Sequence, residues 1–174
     1  MRGAPAPPNQ YDAGVTARAR YRWPLGVLAL EATDEGVVGI SFGDRGPSRA
    51  GVSARARAHI EGAIEALDAY FAGRSPRVPQ LDLRGTSFQL TVWDALRAIP
   101  WGEVRTYGEI ATLLGRAGGA RAVGGANHEN PVAILVPCHR VVQASGRLGG
   151  YAAGLEVKRW LLAHEAAHAP ALRI

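Results

Sequence analysis

One cysteine, Cys138, stands beside His139 and Arg140. Nearby positive charge favours the thiolate, the nucleophilic form of a cysteine. A lone cysteine is also a common small core hydrophobe, so its neighbours must decide between the two. Residues i and i+1 of an extended segment point to opposite sides. Cys138 and His139 are therefore expected in direct contact only if the chain turns there; otherwise a bridging water carries the proton. Glu165 lies four residues after Leu161 and three after Leu162, on the apolar face of a segment, 155–165, that reads as a helix. A carboxylate on such a face needs a partner, because an unpaired buried charge is costly. His139 is one partner, giving a Cys138–His139–Glu165 relay in which Glu165 orients His139 and His139 accepts the thiol proton. A backbone amide tied down by Glu165 is the other.

The elements that would position these groups can be read from period and caps. Asn130-Pro131 ends a helix, and Val132 to Val136 is a short apolar run, read as a buried strand leading into Pro137-Cys138-His139-Arg140. Upstream, Thr86 with Gln89 and Thr106 with Glu109 are capping-box signals. The first opens a helix with Phe88, Val92, Leu96 and Ile99 inward, stopped by Pro100. The second opens a helix carrying Ile110, Leu113 and Leu114, with Gly115 as a C-terminal stop. A further helix, Ala120 to His128, follows a short turn, which makes a helix-turn-helix pattern. That last helix is almost without bulk: Ala120, Ala122, Gly124, Gly125 and Ala126, with Arg121 the one long side chain at its start. Two mid-helix glycines cost about 1 kcal/mol each relative to alanine, which makes sense if a core helix or a DNA groove must approach the backbone closely.

Further upstream, Leu25 to Ala32 and Val37 to Phe42 read as a hairpin joined by Thr33-Asp34-Glu35-Gly36. Ser53 to Phe71 carries helical spacing with one buried face. Gly73 to Arg84, with Pro76 and Pro79, reads as a linker. Residues 1–22, Pro-rich and then alternating Arg with Ala or Tyr, read as a flexible arm. The expected division is an arm at 1–22, an α/β lobe at 23–84 and a second domain at 85–174.

Composition narrows the class. The 174 residues carry a formal charge of +5, 47% of them hydrophobic, with a pI near 10.0. No run approaches the roughly 18 apolar residues of a membrane span, and no signal peptide is evident, so a cytoplasmic protein is expected. A basic balance suits a polyanion such as nucleic acid, although nearly all of it is Arg, with Lys158 the single lysine, a usage that genome bias also produces. One cysteine excludes an intramolecular disulfide and any multi-cysteine zinc site, and the five histidines show no convincing metal spacing.

Pro137-Cys138-His139-Arg140-Val141 resembles the active-site motif of the O6-alkylguanine-DNA alkyltransferases, the methylated-DNA–protein-cysteine methyltransferases. The resemblance extends over Arg121-Ala122-Val123-Gly124-Gly125-Ala126, Asn130-Pro131, Gly150-Tyr151, Gly154, Lys158 and Leu161 to Glu165. Upstream it includes Gly85 to Gln89, Val92-Trp93 and Tyr107 to Ala111, so it covers roughly 85–165, with 23–84 alike only in general pattern.

This resemblance implies an α+β fold. A ribonuclease-H-like small sheet lobe would precede a mainly helical lobe with a winged helix-turn-helix-like DNA-binding element. It implies a suicide reaction in which Cys138 takes the alkyl group from O6-alkylguanine, and from O4-alkylthymine, in double-stranded DNA, once. The small-residue helix, with Ala120, Ala122, Gly124 and Gly125, would enter the minor groove. Arg121 would hold the gap left by the flipped nucleotide; flipping is required because O6 is out of reach in a stacked duplex. Tyr107 would assist flipping and donate to the base, and Asn130 would buttress the turn before the active-site segment. The carbonyls of Cys138 and Val141 would accept from the exocyclic amine. Tyr151, Ala152 and Ala153 would line the pocket, the Ala152 amide donating to O6. No cofactor, no metal, no membrane partner and a monomer in solution are expected. The alternative is a relative that binds alkylated DNA without transferring the group. Such relatives replace the cysteine, which is present here. A Cys-His-Glu hydrolase would leave Arg121 and the small-residue helix without purpose. A transcription regulator of this family would carry a further metal-binding lobe.

Overall fold

The computed structural model describes residues 17–46 and 52–169. It opens with three antiparallel strands in sequential order, β1 (Ala17–Trp23), β2 (Gly26–Ala32) and β3 (Val37–Phe42). Helix α1 (Ala54–Phe71) packs on this sheet. Then come α2 (Ser87–Arg97), the two-residue β4 (Arg105–Thr106), α3 (Tyr107–Leu113) and α4 (Ala120–His128). A 3-10 turn at Cys138–Arg140 leads into the two-residue β5 (Val141–Val142), and α5 (Leu155–His168) completes the described chain. The fold is α+β, as expected.

The arm reading is corrected at 17–22, which form most of β1; residues 1–16 lie outside those described. The alternation read as irregular is a strand period of two. Ala17 and Trp23 are buried, while Arg20 and Arg22 face out. Arg18 pairs with Glu31 on β2 at 2.8 Å and Arg20 with Asp44 at 2.7 Å.

Helix starts follow the side chains that cap them. Thr86 accepts from the Gln89 amide while Gln89 reaches back to the Thr86 amide, and Thr106 and Glu109 do the same for α3. These reciprocal bonds satisfy donors that a helix leaves unpaired. Trp93 of α2, fully buried, donates its indole N–H to the Ala126 carbonyl of α4 at 2.8 Å. A buried polar group thus fixes the bulk-free helix against its neighbour.

One hydrophobic core runs from the sheet through α1 and α2 to the Cys138 segment and α5. The join is a backbone seam. Ile40 on β3 donates to the Pro131 carbonyl, and the Ala133 amide donates to the Ile40 carbonyl, each at 2.9 Å. The segment before Cys138 therefore closes one edge of the sheet.

Candidate active site

The segment 132–138 is not the strand its apolar run suggested. It is two consecutive tight turns. Leu135 donates to the Ala133 carbonyl and Cys138 to the Val136 carbonyl, at 2.9 and 2.8 Å. Pro137, at φ −81° and ψ 63°, is the centre of the second, an inverse γ-turn. Ile134 sits at φ 73°, a costly conformation for a β-branched residue. Asn130 holds the whole turn: its Nδ2 donates to the Val136 carbonyl at 2.8 Å and its Oδ1 accepts from the Val132 amide at 3.0 Å. All residues from Val132 to Val142 are buried, so apolarity here reports burial and not strand.

These turns place Cys138, 6% exposed, in the wall of a cavity of about 550 Å³. Tyr107, Gly124, Asn130, Tyr151, Ala152 and Ala153 line it too. Ile40, Ser41 and Phe42 of β3 contribute a wall that nothing in the sequence announced. Phe42 meets Tyr151 edge-on at 5.8 Å.

Behind the cysteine the chain turns, so His139 lies in the core and not opposite Cys138 on a strand. It is fully buried, and its Nε2 lies 2.7 Å from Oε1 of Glu165, also fully buried. Both partners foreseen for Glu165 are present: its Oε2 also accepts from the Gly102 amide at 3.1 Å. A third was missed. Arg140 grips both carboxylate oxygens, Nε to Oε2 at 2.8 Å and Nη2 to Oε1 at 3.0 Å. Burial alone would raise the Glu165 pKa, but the hydrogen bonds and charges of His139 and Arg140 overcome it and hold the carboxyl at about 2. An ionised carboxylate can only accept, so His139 Nε2 must carry the proton it shares with Glu165. Nδ1 is then the lone-pair nitrogen; it is buried and has no hydrogen-bond partner among the described residues. Burial also lowers the His139 pKa, which keeps the ring neutral and able to accept a proton.

The expected lowering of the thiol pKa by neighbouring charge is outweighed: burial raises the Cys138 pKa above its ordinary value, opposed in part by Asn130, the Lys158 charge and Tyr151. Arg140 is spent on Glu165. Lys158 is fully buried, donates to the Val141 carbonyl at 2.6 Å and lies 6.0 Å from the Tyr151 ring. Burial draws its pKa down to about 8, opposed by the Cys138 thiolate. Its signal was legible: Lys158, Leu161 and Glu165 fall on one helical face. Lys158→Met should therefore raise the apparent thiol pKa by about one unit and slow Cys138 alkylation at neutral pH roughly tenfold. Iodoacetamide rates measured against pH check this, and an unmoved profile would mean that the thiol does not feel the amine.

The Cys138 carbonyl already accepts from Asn127 Nδ2, at 3.4 Å, and from the Val141 amide, while the Val141 carbonyl accepts from Lys158. Asn127 is buried, lines the cavity and leaves its Oδ1 without a partner among the described residues; sequence reasoning passed over it. The Tyr151 hydroxyl is likewise buried, with no nitrogen or oxygen partner among the described residues, and it interacts with the Cys138 thiol. Arg121, Ala122 and Gly125 form an exposed face of α4, with Ala120 partly covered at its start; none of these lines the cavity. Among the described residues no group of three or more His, Cys, Asp or Glu is placed to hold a metal.

Residues 87–167 match the family model for the 6-O-methylguanine DNA methyltransferase DNA-binding domain. A methylated-DNA–protein-cysteine methyltransferase of Mycolicibacterium paratuberculosis is 51% identical over 151 residues, 85% of this chain and 91% of the relative. This chain belongs to the methylated-DNA–protein-cysteine methyltransferase family. The crystal structure of the Mycobacterium tuberculosis O6-methylguanine methyltransferase superposes with a TM-score of 0.75 at 43% identity, covering 89% of this family member and 95% of that chain. The same organism's protein in complex with DNA gives 0.73 at 44%, over 87% and 94%. The likeness thus includes the sheet and α1, beyond the residues that carried the motif resemblance.

Proposed function

We propose that the protein repairs O6-alkylguanine, and O4-alkylthymine, in double-stranded DNA by taking the alkyl group onto Cys138 in a single turnover. The observation that carries this is the sole cysteine, set in a cavity wall with a buried pair, neutral His139 and ionised Glu165, behind it. The thiol proton passes to His139 Nδ1, through a water where the two do not touch. Sγ attacks the alkyl carbon, the S–C bond forms and the C–O6 bond breaks. The base leaves with the electron pair as an anion, which a hydrogen bond from Tyr107 at the cavity wall stabilises until a proton from solvent neutralises it, and His139 returns the thiol's proton to solvent. The thioether product is not cleaved by cellular thiols, so each molecule acts once. The reaction needs no cofactor.

The bulk-free face of α4 is the proposed DNA contact, within a winged helix-turn-helix-like element that follows a ribonuclease-H-like lobe, with 23–84 and 85–174 as the two units. A Cβ at Gly125 would meet nothing within 4 Å, and one at Gly124 only the Tyr107 ring at 3.9 Å. Among the described residues no neighbour therefore demands these glycines, which favours an external partner approaching the backbone. Ala120, Ala122, Gly124 and Gly125 would lie in the minor groove, with Arg121 filling the gap left by the flipped base. Asn130 holds the active-site turn, Val141 offers its carbonyl to the exocyclic amine, and the Ala152 amide faces O6, with Tyr151 and Ala153 beside it. We place the activity in the cytoplasm, in a monomer; among the described residues no helix is long and apolar enough to cross a membrane.

Intact-protein and peptide masses after incubation with an O6-methylguanine duplex test this reading. One methyl per protein, on Cys138, is expected; repeated turnover, or DNA binding without a mass gain, would sink it. Arg121→Ala should slow duplex repair about tenfold or more while leaving reaction with free O6-alkylguanine base within about twofold, since the side chain acts on the flipped state alone. Equal slowing of both substrates would remove Arg121 from that role.

A further inference from the structure

The catalytic pair receives a contact from the sheet-side unit that the motif residues do not contain. Tyr70, near the C-terminal end of α1, is fully buried. Its hydroxyl donates to Glu165 Oε1 at 2.9 Å and lies 3.4 Å from His139 Nε2. Its ring stands edge-on to the imidazole, at 6.2 Å and 88°. Trp101 packs against the same ring at 5.0 Å and donates its indole N–H to the Glu165 carbonyl. We propose that Tyr70 is a positioning residue for alkyl transfer: it holds Glu165 Oε1 in line with His139 Nε2, and so leaves Nδ1 as the nitrogen that takes the thiol proton. This deepens the alkyl-transfer reading and rests on it.

The argument is one of donors and acceptors. Oε1 takes three donors, Tyr70 O–H, His139 Nε2–H and Arg140 Nη2, while Oε2 takes Arg140 Nε and the Gly102 amide. Arg140 sets the plane of the carboxylate through its fork. Tyr70 is the one contact from α1, and it touches the oxygen that His139 uses. Burial first, then the Glu165 charge, raise the Tyr70 pKa, so the phenol stays protonated and can only donate to the carboxylate. That donation spreads the carboxylate charge. Without it Oε1 becomes a stronger acceptor for the imidazole proton, the imidazolium form gains, and the nitrogen that must accept from the thiol is more often occupied. The charged and titratable groups facing this pair are Tyr70 from α1, Arg140 from the 3-10 turn, Lys158 from α5, and Cys138 and Tyr151 at the cavity. The acidic limb of Cys138 reactivity therefore belongs to the set and not to one residue.

Two variants of the full chain test this: Tyr70→Phe, and 3-fluorotyrosine incorporated at position 70, which keeps the shape and strengthens the donor. Iodoacetamide alkylation of Cys138 across the acid-to-neutral range reads the thiol without DNA; methyl transfer from the duplex reads the reaction. Tyr70→Phe is expected to slow both about five- to twentyfold near neutrality and to move the acidic limb upward by about half a pH unit. Fluorotyrosine should move the limb the other way. Unmoved limbs in both proteins, or slowing with an unmoved limb, would make Tyr70 a packing residue and overturn the proposal. Should Tyr70→Phe fail to fold, the fluorotyrosine limb alone decides by the same criterion. Wild-type protein that reacts with iodoacetamide but takes no methyl from DNA would overturn the repair reading, with the limb shifts still judging Tyr70.

Discussion

Cys138→Ser is expected to abolish methyl transfer while leaving duplex binding within about twofold, because in the proposed reaction its sulfur attacks the alkyl carbon and its side chain is not part of α4. Serine preserves the outline of the residue but not the chemistry. An alcohol holds its proton far more tightly than a thiol, and His139, whose own pKa is lowered by burial, is too weak a base to remove it. The sulfur is also the softer and more reactive centre toward a saturated carbon. A loss of at least about a thousandfold follows from losing the activated nucleophile. With one cysteine in the chain there is no substitute thiol. Labelled methyl counted on protein, beside a gel-shift titration with the same duplex, checks both halves. Methyl recovered on another residue of the variant would show that Cys138 is not the acceptor.

The second large effect is on stability. In Glu165→Gln the Arg140 guanidinium keeps its bond to the Ile99 carbonyl, 2.6 Å, but loses its counter-charge inside the protein. Breaking one partner of a buried ion pair costs about 3–5 kcal/mol. For a domain of this size that lowers Tm by roughly 6–20 °C, readable by calorimetry or urea melts at neutral pH; a drop under about 2 °C would contradict the placement.

The same carboxylate sets the acid limit. Its folded pKa, about 2, lies below the ordinary 4.5, so it adds stability that is fully present above about 4.5 and is lost as pH falls toward 2. Linkage puts that contribution at about 3 kcal/mol. The folded pKa of His139 also lies below its ordinary value of 6.5. Its contribution is present above 6.5 and fades on acidification, because the unfolded chain binds that proton first. Wild-type urea midpoints should therefore fall below pH 6.5 and again below 4.5, whereas Glu165→Gln should show a smaller second fall, left to carboxylates such as Asp44 and Glu109 whose pKa values are also lowered. A variant as acid-sensitive as the wild type below 4.5 would assign that stage to other carboxylates.

How much of this was legible depended on how local the governing interaction is. Helix starts at Thr86 and Thr106 were readable because a capping box spans four residues. The α1 face and the β2–β3 hairpin were readable because period and turn chemistry are local. The Arg-rich alternation of 17–22 was misread as an arm, although its period of two was visible, because the pairing that makes it a strand lies with β2. The run 132–136 was misread because continuous apolarity reports burial, and tight turns locked by Asn130 can be as buried as a strand.

The sequence by itself singled out Cys138, with His139 and Glu165 as its candidate partners, the bulk-free helix and the resemblance to a family whose motifs are contiguous. Only the tertiary structure decided that Glu165 is shared by Arg140, Gly102 and Tyr70, that the Lys158 charge works against the burial of the thiol, and that β3 walls the cavity. Tyr70 and Glu165 are 95 residues apart. No period or cap encodes such a pair. It exists because the core, in excluding water, leaves a buried carboxylate to collect its donors from whichever elements packing brings within reach.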